Sequence, residues 1–393
     1  METPTITEPR WRIEATRPVS YEVRLCQDLF DHSNDQLVTA GAEDVLPSRR
    51  RLIVVDARVH ALFRERLRGY LDARGMSYRL CVLETTEPAK TMDAVFRVLS
   101  AMDDFGLSRR REPVLAIGGG VLTDIVGLAA SMYRRSTPYV RVPTTLIGMV
   151  DAGIGSKTGV NFNRHKNRLG SYHPGAVTLI DPAFLAALPA RHLRNGLAEV
   201  LKMALIRDRG LFRLLAADGS RLVTERMQSR GSADDGAAAQ TVMRLAIDGM
   251  LKELQPNLWE QRLDRIVDYG HTFSPTLEMR ALPELLHGEA VAVDMALSLV
   301  LARRRGMLTD DELTGARTVL ANLGLPEWHP VCRPALLAEA LADTVRHRDG
   351  RQLIPLTEGI GRARFVDDVT VAELTAALAE LRPAAGAAGD GAA

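Results

Sequence analysis

VLAIGGGVLTDIVGLAASM, residues 114–132, decides the class of fold. The apolar run over 114–117 leads without a break into Gly118, Gly119 and Gly120, and a helical pattern follows over 122–132 with Asp124 in its first turn. An uninterrupted apolar run marks a strand buried on both faces, as in a parallel sheet. The order strand, glycine turn, helix lets backbone amides and a helix N-terminus meet a diphosphate. Glycines also serve a tight turn for purely steric reasons, so both readings stand at this point.

Working outward, LIVVD at 52–56 precedes a helical pattern over 58–74, a strand pattern over 78–83 and a helical pattern over 92–105. This alternation predicts a parallel sheet wrapped by helices over residues 19–181. Beyond Pro182 strand signals become scarce. The 3.6-residue period dominates over 197–206, 238–254 and 290–304, predicting a mainly α-helical second domain over 182–382. Residues 228–239 read as an exposed loop. The ends, 1–18 and 383–393, are expected to be disordered, since the first lacks periodicity and the second is almost all Ala and Gly.

A chain of 393 residues with 46% hydrophobic content suits two domains. Lys plus Arg number 50 and Asp plus Glu 49, so no basic excess points to nucleic acid or to an anionic membrane. No apolar stretch reaches the ~20 residues of a membrane helix, and the chain reads as cytoplasmic. Cys26, Cys81 and Cys332 lie far apart, outside any CxxC pattern, and read as small apolar residues.

Residues 135–170, RSTPYVRVPTTLIGMVDAGIGSKTGVNFNRHKNRLG, crowd Arg135, Lys157, Lys166 and Asn167 among small and hydroxyl residues. Such donors suit an oxyanion; a solvated basic loop is the plain alternative. Asp56, closing LIVVD, either accepts from a ribose diol or caps the next helix. Glu199 in NGLAEVLKMALI, His271 in DYGHTFSP and His287 in LHGEAVA offer one carboxylate and two imidazoles, enough for an open catalytic zinc site. A histidine on an apolar helix serves equally as a hydrogen-bonded core residue.

GGGVLTD, RVPTTLIGMVDAGIGSKTGVN, HKNRLG, GLAEVLK, GHTF and HGEAVA occur in the order and approximate spacing of the dehydroquinate synthase-like superfamily, which the chain resembles over roughly residues 52–361. The resemblance implies an NAD-binding α/β domain, a helical metal-binding domain, a cleft between them and a homodimer. It makes Glu199, His271 and His287 ligands of Zn2+, with Co2+ as a substitute ion. Gly119, Gly120, Val121, Asp124, Thr144 and Thr145 become NAD contacts, and Asp56, Glu87 and Lys90 match the adenosine side. Asp151, Lys157, Asn167 and Lys202 fall on substrate positions, with Lys166 beside them. Arg135 falls on an arginine sent across the dimer interface to the substrate phosphate.

Departures from dehydroquinate synthase point to one branch. IVDYGHTFSP has Asp268 where that enzyme has Asn and Pro275 where it has His, and TVRHRDGRQ lacks its paired lysines, leaving Arg346, His347 and Arg348 as replacements. With PNLWE, these segments resemble the 2-epi-5-epi-valiolone synthase branch. That likeness implies a phosphate-eliminating cyclase acting on sedoheptulose 7-phosphate in C7-cyclitol biosynthesis: transient oxidation with NAD, elimination, return of the hydride and aldol closure. Lys157, Lys202, Asp151 and Asp268 are expected to be catalytic, and Arg265, Asp268 and His347 to bind the sugar. The charge of Asp268 is expected to disfavour the carboxylate of the dehydroquinate synthase substrate. The rivals are 2-epi-valiolone synthase or desmethyl-4-deoxygadusol synthase, a glycerol dehydrogenase-like alcohol dehydrogenase, and a non-catalytic NAD-binding sensor.

Overall fold

The computed structural model describes residues 10–41, 48–163, 165–228 and 235–383. Its strands are β1 (Glu22–Leu25), β2 (Arg50–Asp56), β3 (Ser77–Leu83), β4 (Val114–Gly118), β5 (Tyr139–Pro143), β6 (Lys157–Phe162), β7 (His165–Tyr172), β8 (Val177–Ile180), β9 (Ile354–Thr357) and β10 (Ala363–Val366). The helices are α1 (Gln36–Thr39), α2 (Ala57–Ala73), α3 (Met92–Phe105), α4 (Gly120–Met132), α5 (Ala190–Ile206), α6 (Arg209–Thr224), α7 (Asp235–Leu254), α8 (Ser274–Ala281), α9 (His287–Arg304), α10 (Asp310–Asn322), α11 (Pro334–His347) and α12 (Val371–Leu381).

Six strands form one parallel sheet in the order β1-β8-β5-β4-β2-β3. β4, β5 and β8 are buried throughout, as befits mainly apolar strands covered on both faces, and Arg141 of β5 and Thr178 of β8 are buried with them. Along β2 the side chains alternate between two cores: Leu52 and Val54 join the cluster of Val95, Leu122 and Ile125, while Ile53 and Val55 join the cluster of Leu67, Leu71 and Leu197. The second cluster runs on through the helical half to Leu381. There α5 and α9 are buried almost all round; their middles are mainly apolar, and the exceptions, Glu199 and Lys202 on α5 and Asp294 and Ser298 on α9, are buried with them. Gly288 makes their contact close: a Cβ on it would overlap the Asn195 carbonyl, and its amide donates to Asn195 Oδ1 at 2.5 Å.

Several sequence expectations shift. α4 starts at Gly120, so Asp124 lies in its second turn. The expected loop 228–239 falls partly outside the described residues, and α7 already begins at Asp235. Two antiparallel elements were not foreseen, the β6–β7 hairpin and the β9–β10 pair within the helical half. β6–β7 was hidden because its residues are mostly small, polar or basic, with little apolar alternation to mark strands. Of the expected disordered ends, 1–9 and 384–393 lie outside the described residues; 10–18 are exposed and without helix or strand. Cys26 and Cys332 are buried and Cys81 half-buried, all as free thiols. Among the described residues no helix is long and apolar enough to cross a membrane.

Candidate metal centre and substrate cleft

Three segments of the helical half converge on one point. α5 presents Glu199 from its buried middle, His271 lies in the turn between a short 3-10 segment (Ile266–Asp268) and α8, and His287 opens α9. One ligand atom from each lies within 4.8 Å of the others. Glu199 Oε1 is 3.4 Å from His287 Nε2 and 3.7 Å from His271 Nε2. Both oxygens of Glu199 are buried without a hydrogen bond, although Lys202 Nζ forms an ion pair with Oε2 at 2.5 Å. The far side of each ring is engaged: His271 Nδ1 faces the Tyr269 carbonyl at 3.1 Å and His287 Nδ1 faces Glu278 Oε2 at 2.9 Å. With protons on both Nδ1 atoms, both Nε2 lone pairs face the space beside Glu199. Two imidazole nitrogens, an orphaned carboxylate and an open side fit a catalytic Zn2+.

The electrostatics agree with that fit. Burial pushes His271 down to about 3, keeping its ring neutral as a ligand requires. Burial and Lys166 also depress His287, yet Glu278 and Glu199 outweigh them and raise it to about 9. Burial would raise Glu199, but Lys202 and the two rings hold it well below the usual carboxylate range. A cation in this pocket would take over the role of those protons.

Beside the trio, Lys202 Nζ is 3.8 Å from Asp151 Oδ1. Burial opposes the Lys202 charge, but Glu199 and Asp151 keep its pKa raised; burial and then Glu199 raise that of Asp151. Asp151 sits in a π-helical turn, Gly148–Ala152, whose exit is pinned by buried Arg141. Arg141 Nη1 donates to the carbonyls of Gly153 at 3.2 Å and Gly155 at 2.5 Å.

Charges of alternating sign run away from the trio. Lys157 pairs with Glu260; Glu260 Oε1 is 2.6 Å from Arg265 Nη1; Arg265 Nη1 is 3.4 Å from Asp268 Oδ1; and Arg348 Nη2 donates to Asp268 Oδ2 at 3.0 Å. Burial would raise Asp268, but Arg265 and Arg348 hold it below the usual range. His347 is exposed at the end of α11 and Arg346 pairs with Asp343, so Arg348 is the residue of that segment that reaches Asp268. Lys166 contacts both Glu278 oxygens, at 2.7 and 2.6 Å. Arg135 is exposed just beyond α4, in a run where Arg134, Arg135 and Ser136 have φ of 48°, 60° and 98°. It makes no ion pair with the cleft residues described here.

The glycine turn lies at the end of β4. A Cβ on Gly119 would come 3.1 Å from Thr145 Cγ2, and one on Gly120 would come 3.0 Å from the Cβ of Ala152. Both approaches are tight, so an added Cβ would have to displace its neighbour by a few tenths of an ångström, while Gly119 also opens α4 with no side chain over its first amides. Val121 follows in the first turn, and the Thr144 amide donates to the Gly118 carbonyl at 2.9 Å. Asp56 caps α2 through the amides of Arg58 and Val59 and accepts from Thr85. Lys90 Nζ reaches Asp124 Oδ2 and Asn167 Oδ1, both at 2.6 Å, and Asn161 joins the Asn167 amide to the Glu87 carboxylate.

Residues 80–195 match the family described as 3-dehydroquinate synthase N-terminal, and residues 196–347 the one described as 3-dehydroquinate synthase C-terminal. The chain belongs to the 3-dehydroquinate synthase family. Among its relatives in that family, a 2-epi-5-epi-valiolone synthase of Streptomyces hygroscopicus subsp. jinggangensis (strain 5008) is 60% identical, over 94% of this chain and 89% of that one. One of Actinomyces sp. is 54% identical, over 96% of this chain and 99% of that one. A solved structure of 2-epi-5-epi-valiolone synthase from Streptomyces hygroscopicus subsp. jinggangensis 5008, with NAD+ and Zn2+ bound, superposes with a TM-score of 0.89. It is 59% identical, over 94% of this chain and 99% of that chain.

Within this dehydroquinate synthase-like fold, sequence reasoning missed Glu278, Asn161 and Arg141 as parts of the site. Glu278 is a lone acid in the unremarkable helical stretch SPTLEMRA, and nothing local announces that it turns inward. Arg141 stood in the quoted motif, and its apolar strand neighbours were the available sign of a buried cation.

Proposed function

We propose that the chain is a 2-epi-5-epi-valiolone synthase that cyclises sedoheptulose 7-phosphate with loss of phosphate, using NAD and Zn2+. The identity of 60% to a synthase of that name, sustained over 94% of the chain, carries the reading. The reading keeps residues 19–181 as the NAD domain and 182–382 as the metal and substrate domain, in a cytoplasmic homodimer with Arg135 reaching the partner's substrate.

Bound NAD would supply a reversible hydride acceptor, and Zn2+ held by Glu199, His271 and His287 a Lewis acid for substrate oxygens. The chain's own groups divide the remaining work. Lys202, kept protonated between Glu199 and Asp151, offers a positive hydrogen-bond donor at the reacting carbons. Asp151, with its raised pKa, is suited to exchanging a proton there. Lys157, more than half exposed at the mouth, is free to leave Glu260 for an incoming phosphate. Asp268, ionised between two guanidinium groups, accepts sugar hydroxyls from a fixed position. The test is incubation of sedoheptulose 7-phosphate with protein, catalytic NAD and Zn2+, with released phosphate quantified and the carbocycle identified by NMR. Net NADH accumulation without a carbocycle would overturn the reading in favour of a dehydrogenase.

A further inference from the structure

Glu278 on α8 is 1% exposed, a buried carboxylate beside the first residue of α9. Its Oε2 lies 2.9 Å from His287 Nδ1 and 2.6 Å from Lys166 Nζ, and Oε1 lies 2.7 Å from the same Nζ. Lys166 Nζ is also 3.0 Å from His287 Nδ1. The three side chains come from different places: β7 of the hairpin, the middle of α8 and the first turn of α9.

With the His287 ring neutral, as a metal ligand must be, that triangle admits two proton arrangements. In one, Nδ1 accepts from Lys166, which leaves the ring proton on Nε2, aimed at Glu199. In the other, Nδ1 donates to Glu278, which leaves the Nε2 lone pair facing Glu199 and His271. Only the second can ligate a cation, and it needs an acceptor for the Nδ1 proton. A buried N–H without one would cost about 1–3 kcal/mol. The carboxylate supplies that acceptor, and Lys166 neutralises it so that it is not a lone buried charge. His271 differs, since its Nδ1 meets only the Tyr269 carbonyl. The two imidazoles are thus unequal donors.

We infer that Glu278, with Lys166 as its counter-ion, is a positioning residue that sets the tautomer and orientation of His287 for metal binding. Lys166 then acts through Glu278, and not as a ligand of the substrate phosphate. The inference rests on the proposed metal trio.

The experiment measures Zn2+ affinity by competition with a chromophoric chelator, and the visible spectrum of the Co2+-loaded protein, for the wild type, Glu278→Ala, Glu278→Gln, Lys166→Met and His287→Ala. Loss of a carboxylate behind a ligating histidine typically weakens metal binding ~10–100-fold, and that loss is expected for both Glu278 variants together with a changed Co2+ spectrum. Combining Lys166→Met with Glu278→Gln should recover part of the affinity, because it removes an ammonium left without its partner. Any rise in KM of Lys166→Met for the sugar phosphate should be repaired by added Zn2+. Wild-type affinity in both Glu278 variants, with His287→Ala depleted, would overturn the role of Glu278. A raised KM that Zn2+ does not repair would overturn that of Lys166. Full retention of zinc by His287→Ala would instead overturn the metal trio itself.

Discussion

Arg348 Nη2 donates to Asp268 Oδ2 at 3.0 Å, tying the end of α11 to the turn that carries His271. Arg348 is nearly buried, and Arg265 faces the other Asp268 oxygen at 3.4 Å. Asp268 is therefore flanked by two positive charges, and the simple repulsion expected between it and an acidic substrate is compensated on the spot. On the proposed function, discrimination between a neutral sugar and an acid therefore does not rest on one uncompensated charge at Asp268.

Asp268→Asn should accordingly hurt twice. It removes a fixed anionic acceptor from the cleft and leaves Arg348 buried with a neutral partner. A loss of about 1–3 kcal/mol in folding stability is expected, together with at least a tenfold drop in kcat/KM for sedoheptulose 7-phosphate. Urea unfolding and phosphate release measure the two effects. Unchanged stability would mean that the Arg348 pair contributes nothing.

Replacing His271 by Ala should release zinc and abolish turnover together, because Glu199 and His287 alone offer two ligand atoms. Metal analysis after dialysis checks it. The thermal midpoint of the zinc-loaded wild type should fall toward that of the variant on chelation. Zinc at one ion per subunit in the variant would remove His271 from the centre.

Arg135 is exposed, stands in a backbone run of positive φ, and makes no ion pair with the cleft described here. If it serves a neighbouring subunit, Arg135→Ala and Lys157→Ala should each be nearly inactive alone. Their mixed dimers should regain up to one intact site. Complementation after co-expression, with heterodimers isolated by two affinity tags, is the measurement. Inactive heterodimers would count against a shared site.

The parallel sheet was legible because β2 and β4 carry unbroken apolar runs that are satisfied by burial on two faces, in alternation with helical patterns. The trio of Glu199, His271 and His287 was legible as residue types in small-residue surroundings, but sequence spacing said nothing of their 4.8 Å convergence, which depends on α5 packing on α9 through Gly288. The β6–β7 hairpin and Glu278 were not legible. The hairpin lacks apolar alternation, and the partners of Glu278 are 112 residues away at Lys166 and 9 away at His287. Arg348 rather than His347 faces Asp268 because α11 ends at His347, and the chain leaves the helix at the next residue.

A last prediction concerns pH. Asp294 on α9 accepts from the amides of Phe273 at 2.6 Å and Ser274 at 2.9 Å, and so fastens the turn after His271 to the central helix. Burial raises its pKa from 3.8 to about 6, and those amide bonds only partly offset the effect. Two titratable groups that feel it, the Tyr269 phenol and the Cys332 thiol, are themselves raised by burial and stay neutral through this range. Because the folded protein binds the Asp294 proton more tightly than the unfolded chain, the resulting stability is fully present below about pH 4. It is lost as pH rises through about 6. Asp294→Asn keeps an oxygen for both amides but cannot ionise, so it lacks that loss. Between pH 4.5 and 7.5 the stability of the variant should therefore gain on the wild type by about 2 kcal/mol, whichever is the more stable at the start. Groups common to both proteins cancel in the difference. Urea unfolding at the two pH values, with equal slopes required of both proteins, gives the number. Parallel stability curves would show that Asp294 titrates in the folded protein as it does in the unfolded chain.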